Sequence, residues 1–206
     1  MACRRYRVRA TIAAVSKPEV LARATLADFL AIPEERRFHE LLAGEIVDKA
    51  APSAEHGTTQ LEVGSRLLGS FGRHPPAGGP GGWWFMTEVE IRFGDDVCRP
   101  DVVGWRRVVV PERPRGTPIS TTPQWTCEVL SRDKRNDLVR KKRIYHRHHV
   151  EHYWLLDPEQ GTLAVNRWHP DGFLEILSAE RGQTVRAEPF DAIELAVGGL
   201  FGDEQD

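Results

Sequence analysis

The clearest pattern of apolar and polar positions in the chain predicts a strand, a helix and a second strand in close succession. Positions 125–130 form an apolar run that only Glu128 interrupts, which is typical of a buried strand. Positions 137–149 follow with helical spacing after Asn136, a residue type that caps helix N-termini, and positions 153–156 form a second apolar run. A crossover of this kind places its two strands in parallel and packs the helix on the sheet, so we expect this unit to organise the fold.

Two charged positions within this unit contradict a plain apolar core. Glu128 lies inside the first strand, and Lys141 lies on the inward face of the helix. The residues that share this face by spacing are Leu138, Lys141, Ile144, Tyr145 and His148. A buried ion costs free energy unless it is paired, so each charge needs a partner in this part of the fold.

The remaining elements are predicted to follow one another without an internal repeat or an interdomain linker. In chain order they are a helix at 25–31 capped by Thr25, a hairpin at 37–49 that turns at Ala43-Gly44, a helix at 54–71, a loop at 74–82, a long strand at 83–93, a strand at 97–105, a Pro-rich loop at 106–122, a hairpin of strands 162–168 and 173–178, and a closing segment at 185–201 with a short helix near Leu200.

Length and composition favour one folded domain with a tail. Of the 206 residues, 40% are hydrophobic, which supports a real core at 25–206, whereas residues 1–24 are predicted to be a basic, flexible N-terminal extension. The three cysteines, Cys3, Cys98 and Cys127, have no paired spacing, so we expect a reduced, cytoplasmic protein. No apolar run reaches the length of a membrane span, and no membrane association is expected.

The formal net charge of −2 does not indicate a nucleic-acid-binding protein, but the charge is unevenly distributed. A basic cluster lies between positions 132 and 149, and such a surface can meet phosphate groups. Its candidate nucleic-acid-binding residues are Arg132, Lys134, Arg135 and Lys142. The alternative interpretation is an ordinary solvated helix face.

A carboxylate in the 97–105 strand, Asp101, forms the second half of a candidate site. If this strand neighbours the one that carries Glu128, two acids meet in a partly dry place and repel unless a proton or cation lies between them. Mg²⁺ prefers such oxygen ligands, and an ammonium from Lys141 beside them can stabilise charge that develops at phosphorus. The set predicts metal-assisted phosphodiester hydrolysis.

Each of these residues also has a structural interpretation. Asp101 after Pro100 is compatible with a turn acid at a strand edge. Glu128 is able to pair with an arginine such as Arg99, and Asp137 with Lys141 has the spacing of an ordinary helix pair.

Several short motifs follow one another in a family-specific order. They are Arg99-Pro100-Asp101, Glu128-Val129-Leu130-Ser131, Asp137 with Lys141 and Tyr145, His152-Tyr153-Trp154 and Leu156-Asp157-Pro158, preceded by Glu40-Leu41-Leu42, Gly44-Glu45-Ile46 and a segment from Pro52 to Gly57. Over about residues 25–201 this set resembles the Uma-two family of endonucleases, which belongs to the restriction-endonuclease-like PD-(D/E)XK superfamily.

The resemblance implies an α/β (α+β) fold with a restriction-endonuclease-like core, a mixed central sheet flanked by helices, and an added C-terminal β-hairpin. It also implies a Mg²⁺-dependent endonuclease, with Mn²⁺ as a substitute, in which Asp101 and Glu128 bind the metal. The superfamily's usual lysine would fall at position 130, which is Leu130, and Lys141 on the following helix is the matching position. Lys142 is the next residue round the helix, and its spacing does not exclude it as the site lysine.

Further site residues are expected from the same comparison. A helix acid often joins this superfamily's metal site, and Glu55 and His56 start the predicted helix at 54–71. Tyr145 is expected to pack behind the lysine. The additional candidates are Glu40, Glu45, His56 and Tyr145. Ala43 stands where the family often has Asp in the hairpin turn.

The predicted activity is cleavage of DNA by a homodimer, since two strands need two sites. One alternative is a module of the same fold that binds nucleic acid or protein without cleavage. A weaker alternative is an unrelated metal-dependent hydrolase.

Overall fold

The computed structural model describes residues 23–74, 80–131 and 134–204. The predicted extension at 1–24 lies outside the described residues, apart from its last two positions. The described strands are β1 (His39–Leu42), β2 (Glu45–Asp48), β3 (Trp83–Thr87), β4 (Ile91–Phe93), β5 (Asp96–Cys98), β6 (Val102–Arg106), β7 (Trp125–Val129), β8 (His152–Asp157), β9 (Thr162–Arg167), β10 (Leu174–Glu180), β11 (Thr184–Val185) and β12 (Leu195–Ala196).

The helical elements of the described residues are one long helix and several short ones. They are α1 (Leu26–Leu30), a 3₁₀ turn (Glu34–Arg36), α2 (Ala54–Phe71), a π-helix (Asn136–Lys141), α3 (Lys142–Arg147) and a second 3₁₀ turn (Gly198–Phe201). Thr25 and Asp28 form a capping box at the start of α1, as the sequence predicts. None of the helices built from described residues combines the length and apolarity needed to cross a membrane.

A six-stranded mixed sheet forms the centre, in the order β10-β9-β8-β7-β6-β3. β7 and β8 are parallel, and the other neighbouring pairs are antiparallel. The predicted crossover from β7 through a helix to β8 is therefore confirmed. The β9–β10 hairpin extends this sheet at one edge, which also confirms the predicted hairpin.

Both faces of the central sheet are covered, which explains why β7 and β8 are buried along their whole length. On one face Trp125 and Trp154 pack against α2 through Leu67, and the C-terminal segment joins them through Phe190. On the other face Tyr153 packs in a cluster with side chains of α3 and of the second sheet. The alternation of β7 turns Glu128 towards this second face, where it meets Tyr145 of α3.

A smaller four-stranded sheet has the order β2-β1-β5-β4. Its β1–β2 hairpin turns through Ala43 and Gly44, which both have positive φ, as expected for a tight two-residue turn. Leu41 of β1 is opposite Val97 of β5, and both pack against Phe29 of α1.

The predicted long strand at 83–93 is wrong, because two shorter strands lie in different sheets. β3 belongs to the central sheet and β4 to the smaller one. The extended conformation is interrupted between them at Glu88, whose φ is 53°. The predicted strand at 97–105 is likewise two strands, β5 and β6, separated at Pro100. Proline has no N–H for a ladder bond, and its carbonyl instead accepts from the Glu88 N–H at 3.2 Å. The two breaks face each other where the chain crosses between the sheets.

A buried ionic cluster braces this crossing. Glu90 accepts hydrogen bonds from Arg37 Nε at 3.0 Å and from Arg99 Nη2 at 2.9 Å. Glu90 is 3% exposed, so each guanidinium is needed to compensate its charge.

The helix between β7 and β8 begins as predicted near position 137 but differs in its geometry. Its first turn is the π-helix Asn136–Lys141, and no side chain caps it, so the prediction of Asn136 as N-cap is wrong. Leu138, predicted on the inward face, is 42% exposed because the wider π-turn changes which residues face the sheet. Lys141, Ile144 and Tyr145 are buried as the spacing predicts.

Candidate functional site

A cleft of about 740 Å³ opens beside the crossing between the two sheets. The chain folds so that strand ends, the start of α2 and the π-helix all meet there. The charged residues and histidine that line it include Glu40, Lys49, His56, Asp101, Glu128, Asp137 and Lys141.

Asp101 lies immediately before β6 and is 1% exposed. Its Oδ2 accepts the Val129 N–H at 2.7 Å, and its Oδ1 lies 2.8 Å from Lys49 Nζ and 3.2 Å from His56 Nε2. Burial opposes ionisation of this carboxyl, but the hydrogen bond from His56 and the charge of Lys49 together hold its pKa well below the usual range. Asp101 is therefore a carboxylate at neutral pH, with a partner on each oxygen.

Glu128 is the buried acid of β7, on the strand next to β6. Its Oε2 lies 2.9 Å from Lys141 Nζ, and its Oε1 accepts the Tyr145 hydroxyl at 2.6 Å. Burial and the nearby charges of Asp101 and Asp137 raise the pKa of Glu128 to about 8, although Lys141 opposes this shift. Lys141 therefore opposes the effect of burial on this acid without cancelling it.

Lys141 is enclosed by three carboxylates at the end of the π-helix. Its Nζ lies 2.9 Å from Glu128 Oε2, 3.0 Å from Glu40 Oε1 and 3.1 Å from Asp137 Oδ1. Burial favours the neutral amine, but Glu128 and the other two acids outweigh it and raise the pKa of Lys141 well above its usual value. The side chain is an ammonium at neutral pH.

Lys141 and Lys142, the two neighbouring candidates for the site lysine, have different surroundings. Lys142 Nζ donates to Asn166 Oδ1 at 3.2 Å and does not line the cleft. Lys141 points to the acids instead, which favours it as the site lysine.

Two residues of this region were not predicted from the sequence. Lys49 Nζ donates to Asp101 Oδ1 and to the Arg99 carbonyl, each at 2.8 Å, and lies 3.8 Å from Glu88 Oε2. Burial raises the pKa of Glu88 to about 7, with Asp101 adding to the shift and Lys49 opposing it. No local signal distinguishes them, since a lysine at a strand end and a glutamate in an alternating run are ordinary surface features.

Glu88 extends the candidate ligand set beyond the two predicted acids. Among the described residues, ligand atoms of His56, Glu88 and Asp101 all lie within 4.8 Å of one another. Their nitrogen and oxygen atoms form a second set of donors, on the Oδ1 side of Asp101.

The additional candidates fall into two groups. Glu40 and His56 line the cleft, and Tyr145 contacts Glu128 behind it. Glu45 instead forms an exposed ion pair with Arg140 at 2.6 Å and does not line the cleft.

Two of the candidate nucleic-acid-binding residues that the structure describes, Lys134 and Lys142, have polar partners within the fold. Lys134 is paired with Asp157 and lies 3.9 Å from Glu159, Arg135 immediately precedes the π-helix, and Arg132 is outside the described residues. Acidic partners therefore reduce the positive charge available at Lys134.

The structural alternatives for the three central residues also have clear outcomes. Asp101 does lie in a bend at the start of β6, but it is buried, and Arg99 pairs with Glu90 and not with Glu128. Asp137 and Lys141 do form a helix pair, but the pair is part of the larger buried cluster.

Comparisons with known proteins bear on the fold and on the family. A solved structure described as "a putative nuclease belonging to DUF820", from Anabaena variabilis ATCC 29413, is similar with a TM-score of 0.68 and 24% identity, covering 86% of this chain and 97% of that chain. This likeness confirms the predicted fold, a mixed sheet flanked by helices. No curated protein matches the chain. A family model, Uma2, with the description "Putative restriction endonuclease", matches residues 26–198. Since that match spans most of the sequence, the chain belongs to the Uma2 family.

Proposed function

We propose that this protein is a divalent-metal-dependent endonuclease that hydrolyses phosphodiester bonds in DNA. The observation that carries the proposal is the meeting in one cleft of Asp101, which immediately precedes β6, Glu128 of β7 and Lys141 of the π-helix. A family described as restriction endonucleases supports the reaction class. DNA as substrate, Mg²⁺ as cofactor and a homodimeric assembly are parts of this proposal.

The donor set fits a hard divalent cation. Carboxylates outnumber ammonium groups around the cleft, and burial, with Asp101 and Asp137 adding to it, raises the pKa of Glu128. Asp101 and Glu128 would hold the cation, and His56 and Glu88 offer further donors beside Asp101. When bound, Mg²⁺ or Mn²⁺ supplies Lewis-acid polarisation of the phosphate and a more acidic water.

The chain's own residues hold this constellation in place. The Val129 N–H and the Tyr145 hydroxyl fix one oxygen each of Asp101 and Glu128. Lys141 remains protonated among its carboxylates, so it acts as a donor and a positive charge rather than as a base. Its role in the proposal is to position Glu128 and to stabilise negative charge that develops at the scissile phosphate.

A cytoplasmic location is also part of the proposal. Cys98 and Cys127 are free thiols in the buried core, as expected for a protein kept in a reducing compartment.

The decisive experiment measures cleavage of supercoiled plasmid, duplex and single-stranded DNA, and RNA with Mg²⁺, Mn²⁺ or a chelator. We expect metal-dependent cleavage that falls by about a hundredfold or more in Asp101→Asn and Glu128→Gln. Asp95→Asn and Glu175→Gln make the same chemical changes at exposed positions and should cleave normally.

The result separates the proposal from a binding module. Salt-dependent DNA affinity without cleavage of any substrate, unchanged by chelator and by Lys141→Ala, would favour the module and contradict the enzyme.

A further inference from the structure

The position of Lys49 carries an inference about how the site accepts its metal. The residue follows β2 at the mouth of the cleft, and its side chain is 16% exposed. Its ammonium lies among oxygen atoms of Asp101, the Arg99 carbonyl and Glu88, at 2.8, 2.8 and 3.8 Å. A cation thus already occupies the oxygen-lined side of Asp101.

The hydrogen bonds of Asp101 determine what a metal ion must replace when it binds to this carboxylate. Oδ1 has two partners, Lys49 Nζ and His56 Nε2, which use both of its lone-pair directions. A neutral imidazole can itself become a metal ligand, whereas a protonated amine can only donate. Of the two partners, Lys49 is the one that a divalent cation at Oδ1 must replace.

Electrostatic repulsion leads to the same conclusion for a cation held elsewhere on this carboxylate. An ammonium in contact with Asp101 repels a divalent charge on the same group, and the partly buried surroundings screen that repulsion weakly. Departure of Lys49 also frees the Arg99 carbonyl and the Glu88 carboxylate, which are oxygen donors suited to Mg²⁺.

We propose that Lys49 is a built-in competitor of the metal: its ammonium occupies the Asp101 subsite in the metal-free protein and is displaced into the cleft when a divalent cation binds. This inference rests on the metal dependence proposed above. It adds a residue that sets metal affinity, and it makes loading of the site an exchange of one cation for another.

The first test measures Mn²⁺ binding by calorimetry and melting temperature with and without Mn²⁺. Lys49→Met should bind Mn²⁺ roughly tenfold more tightly or better than the native chain, because the competing charge is gone. Its melting temperature should be lower in chelator and should rise more on adding Mn²⁺. Lys49→Arg keeps the charge and should resemble the native chain.

A charge-matched control comes from the exposed face of the small sheet. Arg92→Met also removes one positive charge, but Arg92 bonds only to the Gly94 carbonyl among the contacts described for its side chain. It should leave Mn²⁺ affinity unchanged. An affinity of Lys49→Met that equals or falls below that of the native chain overturns the inference.

A second test uses the native chain and does not depend on folding of a variant. An amine-reactive reagent followed by peptide mass spectrometry reports the accessibility of Lys49, with Lys142 as the internal reference. Saturating Mn²⁺ should increase labelling of Lys49 several-fold and leave Lys142 unchanged. Equal labelling of Lys49 with Mn²⁺ and with chelator contradicts displacement.

These measurements are independent of cleavage. If Lys49→Met binds Mn²⁺ more tightly but the native chain cleaves no substrate, the result supports the competitor role and counts against the proposed enzyme. Metal-dependent cleavage with no effect of Lys49→Met on Mn²⁺ affinity supports the enzyme and overturns the competitor role.

Discussion

Replacing Lys141 by methionine tests the electrostatic argument for the site most directly. Methionine keeps much of the aliphatic volume but removes the ammonium that lies within 3.1 Å of Glu40, Glu128 and Asp137. Removing one partner of a buried ion pair costs about 3–5 kcal/mol of folding free energy. The alternative is protonation of Asp137, which costs about 5 kcal/mol at pH 7.5 because that pH lies about 3.7 units above the ordinary aspartate pKa of 3.8. We therefore expect a loss of about 4 kcal/mol at pH 7.5 in chelator.

The same reasoning fixes the pH dependence of that loss. Lys141 lowers the pKa of Glu128 and Asp137, so its removal raises both further above their values in the unfolded chain. An acid whose pKa is raised by folding keeps its proton in the folded state after the unfolded chain has lost it, so stability falls as the pH rises above about 4.5. At pH 5.5 the cost of protonating Asp137 is about 2.3 kcal/mol, so the deficit should shrink by about 2 kcal/mol.

Urea unfolding followed by tryptophan fluorescence gives both numbers, because Trp105, Trp125 and Trp154 are fully buried. Lys142→Met is the matched control, since its amine bonds only to Asn166 among the contacts described for it, and should lose less than about 1 kcal/mol. A Lys141→Met deficit below about 1 kcal/mol, or one that is the same at pH 5.5 and pH 7.5, would refute the reasoning.

Two further predictions concern the scaffold around the cleft. Ala43 has a φ of 55°, so Ala43→Asn should raise the free energy of unfolding by about 0.5–1 kcal/mol, seen as a rise in melting temperature; no rise would contradict strain at this turn. Glu90→Gln leaves Arg37 and Arg99 without their buried counter-ion and should lower the free energy of unfolding by about 3–5 kcal/mol in a urea titration. A loss below about 1 kcal/mol would show that the guanidiniums find other partners.

The elements that the sequence predicts well are those whose information is local. The buried runs of β7 and β8 each follow from one apolar stretch, and the structure confirms both. The bounds of α2 are confirmed as well, but Leu61 and Leu68, which the spacing predicts on its apolar side, are exposed. The Ala43-Gly44 turn is similarly marked by its residue types and by the strands around it.

The strand breaks are missed because alternation of apolar and polar residues does not reveal a change of sheet. Residues 88–93 alternate strictly, so the adjacent polar residues Thr87 and Glu88 look like one irregularity within a single strand, although the chain there leaves one sheet for another. Pro100 is the visible signal in the partner segment, since it cannot donate to a ladder. The break at Glu88 lies opposite it, since the Glu88 N–H donates to the Pro100 carbonyl.

The candidate site is foreseeable only where charge contradicts its surroundings. Glu128 is conspicuous because it interrupts an apolar run, and Lys141 because its spacing places it on a helix face with Ile144 and Tyr145. Lys49 and Glu88 stand among other polar residues, and only the packing of the two sheets brings them to Asp101. Their contribution therefore becomes apparent at the level of tertiary structure.

The π-helix has a consequence for how related chains are aligned. A turn of this kind accommodates one residue more than an α-helical turn, while the segments on either side keep their places against the sheet. A relative without that extra residue would present its amine at the same point in space but at a different count from the β7 acid. A search that demands a fixed interval between acid and amine would pass over such a relative, whereas one anchored on the tyrosine four residues beyond the lysine would find it.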